Sequence, residues 1–139
     1  MRQQALAAIA LIGLTAVPPT VAAGETATLG SVRVGRALKA DGKSLAPGTY
    51  EIRLTDQEAT PVPAGQRRDL ERWVEFVQNG HVKAREVASI VLASEIADVA
   101  EATPPRAGGQ RIDVLKGGDY VRIWLHRGDR HYLIHLPTL

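Results

Sequence analysis

From Thr28 onward, apolar and polar residues alternate with a period of two in short runs broken by Gly, Pro, Asn and Asp, the pattern of half-buried strands. Val32 and Val34 alternate with Ser31 and Arg33. Asp41-Gly42 and Pro47-Gly48 mark turns, and between Thr49 and Thr55 the residues Tyr50, Ile52 and Leu54 point one way while Glu51 and Arg53 point the other. Residues 56–66 carry Pro61, Pro63 and Gly65 without periodicity and read as a loop. A hairpin follows over residues 70–92 around Asn79-Gly80. A three-residue loop, Gln78-Asn79-Gly80, would set Glu75 against Lys83, Trp73 against Arg85 and Phe76 against Val82, which favours it over a two-residue loop by cross-strand charge and cation–π contacts. In that register Glu86 faces Arg72 on the apolar side. Residues 94–100 permit a helical turn or two, and Pro104-Pro105 and Gly108-Gly109 form a second loop.

The C-terminal segment predicts most. Gly117-Gly118 and Gly128-Asp129 are both two-residue hairpin loops, and each fixes a register by itself. The first pairs Val114 with Val121, Asp113 with Arg122 and Arg111 with Trp124. The second pairs Leu125 with Tyr132, Ile123 with Ile134, Val121 with Leu136 and His126 with His131. Both place the same set on one face: Ile112, Val114, Val121, Ile123, Leu125, Tyr132, Ile134 and Leu136. A slip of one residue would turn that whole set to water. These readings give an all-β fold, a single antiparallel β-sandwich or flattened barrel of about seven strands that ends in a three-stranded meander.

The first residues form a separate unit. Arg2, the apolar run from Leu6 to Val17 and the small residues Val21-Ala22-Ala23 make up a secretory signal, expected to be cleaved after Ala23. Residues 1–23 are then signal peptide and 24–139 the β-domain, located in the periplasm or outside the cell. The apolar run is too short to span a membrane, and no later run is longer, so no membrane association is expected after cleavage. Cysteine is absent, so packing and sheet hydrogen bonds must supply the stability. Of 139 residues 17 are basic and 15 acidic, and loss of Arg2 with the signal brings the balance closer still. Bases so evenly matched and dispersed argue against nucleic acid as a partner.

Residues 42–54, with Pro47-Gly48 launching a strand that carries Tyr50, resemble a motif of transthyretin-like and carboxypeptidase-regulatory-like β-sandwich domains of secreted proteins. The chain as a whole also looks like short secreted bacterial proteins of unassigned activity. The resemblance implies a folding, binding or spacer module and not an enzyme.

Candidate chemistry gathers on the face of the meander opposite the aliphatic set. Tyr120, Arg122, Trp124, His126, His131 and His135 lie there, and aromatic rings with Arg are what binding patches concentrate. If open, that surface would suit a protein or a carbohydrate partner; the alternative is that the chain's own segments cover it. Two cross-strand imidazoles fall short of a metal site, which needs three or four ligands, so no metal or other cofactor is expected. The acids Asp56, Glu58, Glu95, Asp98 and Glu101 lack calcium-loop spacing. Arg127-Gly128-Asp129 spells an adhesion tripeptide at a hairpin tip, although the turn already explains Gly-Asp. No elbow serine, Cys–His pair or phosphate loop stands out. The expected function is a secreted or periplasmic, non-enzymatic binding module. The alternative is a subunit that self-assembles by strand addition, with residues 24–35 or an open edge as donor. An enzyme is the remote third reading.

Overall fold

The structure is a computed structural model that describes residues 27–59 and 70–139. The expected signal sequence, residues 1–23, and the prolines of the 56–66 loop lie outside the described residues. The alternating runs become strands: β1 (Ala27–Val34), β2 (Leu38–Ala40), β3 (Lys43–Leu45), β4 (Gly48–Glu58), β5 (Glu71–Gln78), β6 (His81–Leu92), β7 (Gln110–Leu115), β8 (Tyr120–Arg127) and β9 (Arg130–Pro137). One short helix, α1 (Ile96–Val99), sits where a helical turn was expected.

Seven strands form one sheet in the order β1-β4-β5-β6-β9-β8-β7, each antiparallel to its neighbours and together curled into a half-barrel. Its concave side holds the core, including Val32, Tyr50, Ile52, Val74, Phe76, Ile90, Ile123, Leu125, Ile134 and Leu136. The hairpin β2–β3 turns at Asp41-Gly42 and contributes Leu38, Ala40 and Leu45 to the same cluster. Leu38 also bridges to Thr138. Tyr50 points inward, and its hydroxyl donates to the Ala46 carbonyl at 2.6 Å, tying the Pro47-Gly48 turn to the strand it launches.

Both C-terminal registers stand as expected, down to His126 opposite His131. The expected burial of Ile112 and Val114 does not: they share the face of Val121 and Ile123 but are 41% and 53% exposed, because β7 is the last strand of the sheet. The β5–β6 register also differs. Asn79 and Gly80 both have positive φ, 53° and 77°, which makes a two-residue loop, and a bulge beyond Val77–Val82 then sets Phe76 against Ala84 and Glu75 against Arg85. The bulge reconciles the tight turn with the core, since Phe76 and Ala84 are then both buried. Trp73 faces Val87, yet the Arg85 guanidinium still lies 4.2 Å from the Trp73 ring centroid. Glu86 lies opposite Val74, not Arg72, and its carboxylate accepts the Asp41 backbone N–H at 2.8 Å.

Candidate functional site

The register of β8 and β9 carries Tyr120, Arg122, Trp124, His126, His131 and His135 to the outer face, as the alternation requires. What the alternation could not show is the chain that lies over them. The Pro105 carbonyl meets His126 Nδ1 at 2.9 Å, Gly108 N–H donates to the His126 carbonyl, and Arg111 donates to the Thr103 carbonyl at 2.6 Å. Trp124 is consequently 0% exposed and His131 1%. The open aromatic patch expected from sequence is therefore closed at its centre, and the covering alternative describes the molecule.

Under this cover the chemistry is settled pair by pair. Trp124 Nε1–H donates to His131 Nδ1 at 2.9 Å, so that nitrogen carries no proton and the neutral ring keeps its hydrogen on Nε2. The carbonyl of Pro105 can only accept, which puts a proton on His126 Nδ1. The two imidazoles stack with centroids 3.8 Å apart. Burial, and then the neighbouring His126, hold the His131 pKa below its ordinary value. Arg122 lies 4.9 Å from the Trp124 ring centroid and bonds Asp113 at 3.1 Å, while Arg111 bonds the same carboxylate at 2.7 Å. Burial works against the charge on Asp113, but the bonds from the two arginines outweigh it and lower its pKa. Tyr120 receives the Lys116 ammonium at 5.1 Å, and His135 stands exposed opposite Arg122. Among the described residues no group of three or more His, Cys, Asp or Glu is placed to hold a metal ion.

A second site appears where the sheet fails to close. On the seam side neither β1 nor β7 has a strand partner among the described residues. At one end side chains span the gap. Gln110 Nε2 donates to the Ser31 carbonyl at 2.8 Å, and its Oε1 accepts from Arg127 at 2.7 Å. The same guanidinium donates to the carbonyls of Leu29, Gly109 and His126. Arg127 is thus engaged within the fold, and of the adhesion tripeptide only Gly128 and Asp129 stand exposed. Gly30 makes room for it: at φ 139° it sits in a bulge of β1, where a Cβ would come within 2.7 Å of Arg127 Nη2.

Toward the other end the side-chain bridge stops and the gap becomes an apolar groove of about 240 Å³. Val34 and Leu38 line one side, and Ile112, Val114, Val121 and Ile123 the other. Arg36 is the one charged group on its wall, and no acidic partner meets it among the described residues. Sequence reasoning assigned Ile112 and Val114 to the core and so missed this site. The available signal was the position of β7 as the outermost strand of the meander, with a partner on one side only.

Among the described residues no helix is long and apolar enough to cross a membrane. No protein-family model, curated protein or solved structure matches the chain, so the geometry carries the functional reading.

Proposed function

We propose that this chain is an exported, non-enzymatic interaction module that receives an extended segment of a protein partner at the seam between β1 and β7. The observation that carries the reading is the groove itself: two strand edges, unpaired among the described residues, flank exposed Ile112 and Val114. Unpaired edges beside apolar side chains are what strand-adding ligands use, the backbone giving affinity and alternate side chains specificity. The groove is smaller than the cavities that usually enclose small molecules, roughly 300–1,000 Å³, which favours a few side chains of a peptide over a cofactor. A sugar stacked on Trp124 loses its main support, since that ring is buried. The signal pattern of residues 1–23 supports export. Self-assembly by donation of residues 24–35 is disfavoured, because Ala27–Val34 already pairs with its own β4.

Selection of displayed extended peptides on the immobilised protein tests the reading, with Val114→Glu as the blocked control. Peptides with apolar residues at alternate positions should be enriched on the native protein and lost on the variant, whose melting temperature should stay within a few degrees because Val114 is exposed. If enrichment is equal on both, the seam is not the receptor.

A further inference from the structure

Resting on that reading, we infer that the occupant of the seam is a single strand antiparallel to both β1 and β7, an eighth strand that completes the barrel, with a carboxylate set against Arg36. Strand parity supplies the first half. In a seven-stranded sheet whose neighbours are all antiparallel, the first and last strands run the same way. Direct closure of β1 on β7 would make a parallel pair, the slightly weaker ladder. One inserted strand running the other way meets both edges with antiparallel ladders and leaves no edge open.

The closed end of the seam indicates what is missing. There the Leu29 and Ser31 carbonyls of β1 accept from the Arg127 and Gln110 side chains, which occupy the place of a neighbouring strand's N–H groups. Beyond them the groove is apolar on both walls except at Arg36 and continuous with the core through Leu38 and Ile123, so every second side chain of an incoming strand would be buried. Arg36, without an acidic partner on that wall, selects a carboxylate on the segment.

The same geometry favours a lone extended segment of another protein over a second copy. A strand that belongs to a sheet brings a neighbour about 4.8 Å away on its far side, and in a gap flanked by β1 and β7 that neighbour has no room. The chain's own β1 is already paired along its length with β4.

Three labelled peptides of eight residues test this with the full mature protein: an alternating valine–threonine peptide ending in aspartate, its lysine-ended counterpart, and the first with a central proline. Fluorescence anisotropy should show the acidic peptide binding about tenfold more tightly than the basic one. Arg36→Glu should reverse that order, and proline, which lacks the ladder N–H, should abolish binding. Hydrogen exchange with the acidic peptide bound should slow amides in both 31–34 and 112–115. Protection of one edge alone, or equal affinity for acid and base, overturns the eighth strand or the carboxylate while leaving the receptor reading intact. If no peptide binds and light scattering shows dimers that Val114→Glu dissolves, the occupant is a second copy and the inference fails. No binding by a monomer removes the receptor reading itself.

Discussion

Trp124 and His131 occupy positions that alternation assigns to the solvent face, yet they are joined by a buried hydrogen bond. Their burial makes them stability residues. Trp124→Ala should cost about 3–5 kcal/mol, the range for a core tryptophan, and Trp124→Phe about 1–3 kcal/mol, since His131 Nδ1 would lose its donor in a buried site. Chemical denaturation measures both. A Trp124→Ala protein as stable as the native one would show that the cover is not seated. The pair also sets a pH dependence. Burial and His126 lower the native His131 pKa, so the native state binds fewer protons than the unfolded chain, whose His titrates near about 6.5. Stability is therefore full above that pH and declines as pH falls from about 6.5 through the lowered native value. Melting temperatures from pH 7.5 to 5 should follow this slope, and His131→Gln, which removes the titrating group, should flatten it. His135 shifts in the same direction through partial desolvation and the cations Arg122 and Lys116, but it is exposed, and His135→Gln should change the slope far less. The face these residues occupy was legible from the turns. Their cover was not, because residues 103–109 bind through backbone carbonyls and amides that any sequence presents.

Strand positions were read well where a turn and a buried face agreed, and poorly where only one was consulted. In β7, β8 and β9 two turns imposed one consistent face. In β5–β6 the cross-strand charges pointed to a looser turn, whereas the left-handed pair Asn79-Gly80 formed the tight one and a bulge absorbed the difference. Bulges leave no mark in alternation, which resumes one residue later. The same contrast orders the cost of truncation. Ile123→Ala and Ile134→Ala, fully buried between neighbouring strands, should each lose about 2–5 kcal/mol. Val114→Ala, on the same face but at the open edge, should stay within about 0.5 kcal/mol. At the closed end of the seam Gln110 and Arg127 form the bridge, and Arg127 makes most of its bonds. Arg127→Ala should cost about 2–3 kcal/mol through its lost carbonyl partners, and Gly30→Val should lose a similar amount by straining a φ of 139° and pushing the guanidinium aside. Thermal melts of the two variants and the double mutant decide whether they act through one contact: coupled sites give a double mutant little worse than either single.

At the scale of the molecule, seven strands and an all-β class follow from pattern and turns, but the sheet order does not. Pairing of β1 with β4 and of β6 with β9 joins strands distant in sequence, and such pairs have no local signature. Without that order the chain could not be recognised as a half-barrel with two parallel ends, and the seam could not be placed. Once the order is known, a gradient of local stability follows. Among the described residues, strands β4, β5, β6, β9 and β8 each have two partners in the sheet, while β1 and β7 have one. Closed barrels bury every ladder, so an open one should exchange its amide hydrogens from the seam inward. In the unliganded protein at neutral pH, amides of residues 112–115 should exchange fastest among the sheet strands. Those of residues 31–34 should come next, steadied by the bridges of Gln110 to Ser31 and of Arg127 to Leu29, and those of residues 74–76, 88–90 and 132–134 should be slowest, limited by global unfolding. Protection of residues 112–115 equal to that of residues 88–90, in a protein shown by light scattering to be monomeric, would mean that the seam is shut in solution, and no strand could then enter it without first breaking a ladder already made.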